Sequence, residues 1–407
     1  MPKNSRLLAG LVALSAAWAV PACTTGGNPN HPEVLRHQGA CQDYITKGDF
    51  DAAESRCRLC LEYDKQNPEC LNLMGVIYFN RGNFGEARDW YKRAMRSRPD
   101  FAEARNNMGV LHMVAKPPDY DEAITMFSSS IKIDPGYKDG RWNLAHAYSE
   151  KGNIAFADAQ NKVLKKGINM ADPGKATAYF KDTEELYAKA DDHLRRLFEL
   201  DPKHYRGYFQ LSYIEMQRSQ YASTEQFRRQ NLQRALDMGL RCWELAPKDA
   251  VESKQCAGTL GAIYGAKEEN DQSMTYWASC LALDPKEPEC LRGFRDSAAK
   301  VALTRGGLKK YLDQIAQNPG YAQGYFNLCV GAFEQGLQDM GASACEQALA
   351  LDEKLCLARY QLGKYYRGVL NQDQAIDNCK KFISCAGQQN PAEVQECKDL
   401  VAALETR

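Results

Sequence analysis

Eight segments of this 407-residue chain fall on a single 34-residue ruler and carry the same residue types at the same phases. Counted from Pro68, the ruler places Met74, Gly75, Tyr78, Gly82, Ala87, Tyr91, Ala94 and Pro99 at phases 7, 8, 11, 15, 20, 24, 27 and 32. The segment from Lys254 repeats it with Leu260, Gly261, Tyr264, Trp277, Cys280 and Pro285. The segment from Ala102 does so with Met108, Gly109, Phe127 and Pro135, after a two-residue loop insertion. A fixed period of this length marks a stacked repeat, in which no unit buries its apolar face alone and neighbours together build one continuous core. That constraint overrides the soft expectation of two or three globular domains from chain length. No alternating apolar run is long enough to form a sheet.

The pattern resembles the tetratricopeptide repeat (TPR), a helix–turn–helix unit whose small residues at phases 8, 20 and 27 let paired helices approach closely. The resemblance implies an all-α, right-handed solenoid of about nine helical hairpins. Units are expected at 34–67, 68–101, 102–137, 138–204, 205–253, 254–287, 288–321, 322–355 and 356–389, closed by a helix at 390–407. The N-terminal units (34–204) and C-terminal units (205–407) are separated by a softer break near Asp201–Tyr221. Gly48, Gly82, Gly152 and Gly336 are expected at the turns between paired helices, and Asp-Pro at Asp134, Asp201 and Asp284 is expected to end second helices. Three units depart from the pattern. An extra stretch at Phe156–Phe180 reads as a helical excursion, and the unit at 205–253 is lengthened near Gln220–Arg234. The unit at 288–321 has Arg295 where Gly or Ala is usual, which predicts looser packing and a hinge.

Residues 1–22 read as an export signal: Lys3 and Arg6 precede the apolar run Leu7 to Val20, then Pro21-Ala22-Cys23. Fourteen apolar residues are too few to span a bilayer. Ala22-Cys23 resembles a lipobox, which implies lipid on Cys23 and, with Thr24 rather than Asp following, an outer-membrane destination. Cleavage after Val20-Pro21-Ala22 satisfies the same small-residue rule and would leave a soluble periplasmic protein. Residues 23–33, with Gly26, Gly27, Pro29 and Pro32, read as a flexible tether.

Of 15 cysteines, assigning Cys23 to lipid leaves 14, an even number suited to an oxidising compartment. Cys60 and Cys70 lie ten apart, as do Cys280 and Cys290 at the same phases. Cys41 with Cys57 and Cys329 with Cys345 are sixteen apart at phases 8 and 24, where the two helices of a unit face each other. Pairing sequential neighbours adds Cys242–Cys256, Cys356–Cys379 and Cys385–Cys397, with Cys345–Cys356 as a rival. Bridges closing such short loops each contribute about 2–3 kcal/mol. Leu71 to Arg241 has no cysteine, so both ends are stapled and the centre is not. Cys57-Arg58-Leu59-Cys60 has the spacing of redox or zinc motifs, but it lies within a helix and has no second pair at metal spacing.

Enzyme signatures are missing: there is no Gly-rich phosphate loop, Gly-x-Ser-x-Gly elbow or His-Glu-x-x-His, and no metal or cofactor is expected. His31, His37, His112, His146, His193 and His204 are scattered along the ruler, and Glu184-Glu185 and Asp191-Asp192 read as solvated helix faces. Basic and acidic residues number 52 each, and losing Lys3 and Arg6 leaves a balance of about −2, against a nucleic-acid partner. The basic cluster Arg88–Arg98 reads as an exposed helix face.

In TPR solenoids the first helices line the inner curve. The resemblance places Asn107, Asn143, Gln210, Asn327 and Gln361 there at phase 6, with Trp142, His146, Phe209, Tyr213, Phe326 and Tyr360 at phases 5 and 9. Amides alternating with aromatics suit capture of an extended peptide, amides on its backbone and rings around its side chains. The layout as a whole is similar to TPR lipoproteins of the pilotin type, which help type IV pilus secretins assemble, and to components of gliding-motility complexes. It implies a non-enzymatic scaffold for envelope proteins, with a soluble periplasmic chaperone or a thiol-redox or metal-binding protein as alternatives.

Overall fold

A computed structural model describes residues 31–168, 175–247, 251–284, 287–304, 308–386 and 390–405. Among them every regular element is helical, and the helices pair as antiparallel hairpins in sequence order. The chain divides into two compact units between Lys203 and His204. The first holds α1 (Pro32–Thr46) with α2 (Phe50–Tyr63), α3 (Pro68–Asn80) with α4 (Phe84–Ser97), α5 (Ala102–Val114) with α6 (Tyr120–Ile133), and α7 (Lys138–Lys165) with α8 (Lys181–Leu200). The second holds α9 (Tyr205–Gln220) with α10 (Glu225–Leu245), α11 (Val251–Ala266) with α12 (Asn270–Leu283), and α13 (Pro288–Thr304) with α14 (Lys309–Gln317). It continues with α15 (Ala322–Glu334) and α16 (Gln338–Leu351), α17 (Cys356–Gly368) and α18 (Gln372–Ala386), and ends on α19 (Pro391–Glu405). The expected all-α array of nine hairpins and a closing helix is present. No described helix is long and apolar enough to cross a membrane.

One contact recurs in both units. The phase-8 glycine of a first helix faces the phase-24 aromatic of its partner so closely that a Cβ would overlap the ring. A Cβ on Gly75 would lie 2.4 Å from Tyr91, on Gly109 2.5 Å from Phe127, and on Gly261 2.6 Å from Trp277. Tyr91 and Phe127 are among the largest fully buried side chains. The bridges Cys41–Cys57 and Cys329–Cys345 occupy the same two phases, with Cα atoms 5.4 and 5.1 Å apart. Gly363 closes on Cys379 in the same way, and a Cβ there would lie 2.8 Å from the Sγ. A disulfide and a glycine–ring pair are thus two ways of filling one slot.

Helix ends follow the residues. Gly48, Gly82 and Gly336 sit at φ of 76°, 79° and 76°, the left-handed conformation that ends a first helix. At the same phase Glu268 (φ 66°) and Leu370 (φ 60°) adopt it without being glycine. Asp134, Asp201 and Asp284 each cap a second helix, as Asp-Pro predicts. Gly152 is a correction. It lies inside α7 rather than at a turn, and its missing Cβ makes room for the Tyr187 ring, which a Cβ would approach to 2.6 Å. The expected helical excursion at 156–180 takes the form of a lengthened hairpin: α7 runs for 28 residues and α8 for 20, with Phe156 and Phe180 rings 5.3 Å apart.

The hairpin α13–α14 is the irregular one. α14 has only nine residues, and α12 packs directly on α16, the second helix of two hairpins later. α16 is rich in small buried residues, among them Gly341, Ala342, Ser343, Ala344 and Ala348. The Arg295 side chain lies outside the described residues.

All fourteen cysteines between residues 41 and 397 pair, and five bridges match the expected partners: Cys41–Cys57, Cys60–Cys70, Cys242–Cys256, Cys280–Cys290 and Cys329–Cys345. The last two exchange partners, forming Cys356–Cys385 and Cys379–Cys397. Antiparallel geometry is the reason. Cys356, the first residue of α17, lies opposite the last turn of α18, which carries Cys385, while Cys379 in mid-α18 faces α19. Cys57 and Cys60 belong to different bridges, so the Cys-x-x-Cys run is structural.

Gly75→Ala is expected to destabilise the first unit by about 1–3 kcal/mol, since the added methyl must displace a buried ring. Denaturant unfolding of the full chain, followed by amide exchange in α3 and α4, measures this.

Candidate partner-binding surface

Within each unit the first helices of successive hairpins lie beside one another: α1, α3, α5 and α7 in the first, and α9 beside α11 and α15 beside α17 in the second. Their side chains at phases 5, 6 and 9 decide what that layer can hold.

In the first unit two of the expected amides bridge neighbouring hairpins. The Asn107 amide N–H donates to Asn72 Oδ1 at 3.0 Å, and that of Asn143 to Asn106 Oδ1 at 2.8 Å, all four residues being buried. These amides fix the register of adjacent first helices. Asn72 and Asn106, both at phase 5, are the partners that sequence reasoning missed, although their shared position on the ruler was a usable signal. Trp142 remains half-buried and stacks on His146, centroids 5.3 Å apart and planes at 9°.

In the second unit Gln210 is buried, whereas Phe209, Tyr213, Phe326, Asn327 and Gln361 stay half-buried. Asn327 Oδ1 accepts from Gln323 one turn earlier at 3.0 Å, which orients the amide on an accessible stretch of α15. Tyr360 is placed differently from the expectation. It is 8% exposed beneath α19, and its hydroxyl donates to Glu396 Oε2 at 2.5 Å. Burial, then that hydrogen bond, pushes the phenol well above its ordinary range, so it acts as an anchor for the closing helix. Cys23 lies outside the described residues.

A second motif is visible only in three dimensions. A phase-11 aromatic carries a phase-14 cation against its face: Lys47 at Tyr44, Arg81 at Tyr78 and Lys267 at Tyr264, each between 5.8 and 5.9 Å from the ring centroid. The same cation reaches back to the previous hairpin, where Arg81 pairs with Asp51 and Glu54, and Lys151 with Asp121. Partial burial pushes Glu54 upward, but hydrogen bonds from Arg81, Arg58 and Tyr78 outweigh it and hold its carboxyl below the usual range.

Elsewhere the polar groups are structural. Asp191 and Asp192 pair with Arg195 and Arg196 one turn on, and Arg88, Lys92, Arg93 and Arg96 form an exposed face of α4. His193 stacks on Tyr148 at 5.9 Å, and burial depresses its basicity. Among the described residues no three His, Cys, Asp or Glu converge as metal ligands.

Residues 44–109 match the family model described as tetratricopeptide repeat. This stretch is similar to that family. It runs from the end of α1 to the middle of α5 and includes the α3–α4 hairpin with its Gly75–Tyr91 contact. Among curated proteins, the inactive TPR repeat-containing thioredoxin TTL3 of Arabidopsis thaliana is 28% identical over 135 residues, covering 33% of this chain and 18% of that protein. Protein O-mannosyl-transferase TMTC1 of Homo sapiens is 22% identical over 213 residues, covering 52% and 23%. The chain spans about a fifth of the length of the curated relatives it matches. Among solved structures, PilW, a widely conserved type IV pilus biogenesis factor, aligns with a TM-score of 0.47 at 16% identity, covering 64% of this chain and 98% of that one.

Asn143→Ala leaves the buried Asn106 oxygen without its donor and is expected to cost about 1–3 kcal/mol of stability. Chemical denaturation checks this, and a double-mutant cycle with Asn106→Ala should return a coupling energy that is clearly non-zero.

Proposed function

We propose that this protein is an exported scaffold whose TPR hairpins grip an extended segment of another envelope protein along their first helices. The observation that carries the reading is the half-buried row Phe326–Asn327 and Gln361, with Phe209 and Tyr213 on α9: apolar rings beside amides, left accessible on helices that are otherwise packed. Amides can satisfy a peptide backbone while rings cover alternate side chains. TPR arrays use this kind of helical surface to hold other proteins.

Seven disulfides support an oxidising compartment outside the cytosol. The leader at 1–22 and Cys23 extend that reading to a lipid anchor on the periplasmic face of the outer membrane, with residues 23–33 as tether. The layout of leader, lipobox and repeats supports service in an envelope machine such as a type IV pilus or a gliding-motility complex. The reading assigns no catalysis: binding alone accounts for the accessible residues.

The test is affinity capture of full-length protein from native membranes, with mass spectrometry of what is retained. Phe326→Ala combined with Asn327→Ala should weaken the specific envelope partner by roughly 2 kcal/mol, about 30-fold. Unchanged affinity would move the site off α15, and failure to retain any envelope protein would contradict scaffolding.

A further inference from the structure

Twelve of the fourteen described cysteines are buried to 3% exposure or less. The other two are bonded to each other: Cys385 is exposed on the last turn of α18, and Cys356 is half-buried at the first position of α17. We propose that Cys356–Cys385 is a thiol-exchange site, open to a dithiol reductant or a thiol-bearing partner under conditions where the six buried bridges stay closed.

The two sulfurs are not equivalent. Cys385 is the more exposed residue of the two, so we assign attack by an external thiolate to its Sγ. Cys356 opens a 13-residue helix, whose dipole favours a departing thiolate, and its Sγ lies 3.3 Å from the Lys354 carbonyl oxygen. Attack at Cys385 is therefore favoured. The incoming thiolate bonds to Cys385 Sγ, the Cys356–Cys385 bond breaks, and its electron pair leaves on Cys356, which equilibrates with solvent protons. With a dithiol, the second thiolate then attacks its own sulfur in the mixed disulfide. Cys385 is released as a thiolate, the protein bridge is reduced by two electrons and the dithiol is oxidised by two. With a monothiol partner the reaction stops at a covalent link to Cys385.

The consequence is local. Cys356–Cys385 clasps the open end of the α17–α18 hairpin, whereas Cys379–Cys397 independently holds α18 to α19, with Phe382 and Leu400 in the same buried cluster. Opening the clasp frees the start of α17, the helix that carries Gln361, without unfolding the hairpin.

The experiment needs no variant. Native full-length protein is titrated with dithiothreitol, quenched by alkylation and mapped by mass spectrometry, while helicity is followed by circular dichroism. The first two thiols should be Cys356 and Cys385, appearing at least about tenfold faster than any others, because buried bridges wait on local opening. Helicity should be unchanged at that point, and brief exposure to glutathione should place the adduct on Cys385. Earlier reduction of any other bridge, joint reduction of all bridges with loss of helicity, or an adduct on Cys356 would overturn the proposal.

Discussion

The close approach of phases 8 and 24 is the interaction on which the rest of the structure depends. A first helix can lie against its partner only if one position lacks bulk and the opposite one fills the space, as at Gly75 with Tyr91 and Gly261 with Trp277. Where the chain has two cysteines instead, as at Cys41 and Cys57, the covalent bond sets the same spacing. The substitution also explains where two of the staples sit. A disulfide can enter a repeat without disturbing its neighbours because it takes over a contact that already exists, and it adds restriction of the unfolded chain.

Once each hairpin is closed, stacking is left to weaker and more varied contacts. Buried amide pairs join α3 to α5 and α5 to α7, and phase-14 cations tie first helices to the preceding hairpin. In the second unit Lys254 bridges Asp284 and Glu287 of the following turn. Register rests on these partly buried ion pairs together with apolar burial and the amides. A side chain already engaged in stacking is poorly placed to hold a ligand. The half-buried members of the expected inner row are Trp142 and His146 in one unit, and Phe209, Tyr213, Phe326, Asn327 and Gln361 in the other.

The hairpin array was legible because its determinants are local: a small residue, a ring, a turn glycine and an Asp-Pro stop recur at fixed spacing. Five disulfides were legible for the same reason, since their partners lie on facing turns of one hairpin or across one tight turn. Cys356 and Cys379 misled because nearness in sequence is not nearness across an antiparallel pair, where the start of one helix meets the end of the other. Gly152 misled because a glycine serves equally as a turn and as a gap for a ring. The candidate row was only half legible. A phase of 5 or 6 says that a residue faces the layer of first helices, but not whether the preceding hairpin, as at Asn143, or a capping helix, as at Tyr360, has already claimed it.

The equivalence of disulfide and glycine–ring pair can be tested by exchanging one for the other in the first hairpin. Cys41→Gly with Cys57→Tyr rebuilds the slot as α3 and α4 fill it, whereas Cys41→Ala with Cys57→Ala only empties it. Native-state amide exchange across α1 and α2 of the full chain reads the difference. Slower exchange in the glycine–tyrosine variant than in the double-alanine variant is the predicted result, and equal or faster exchange would contradict the account.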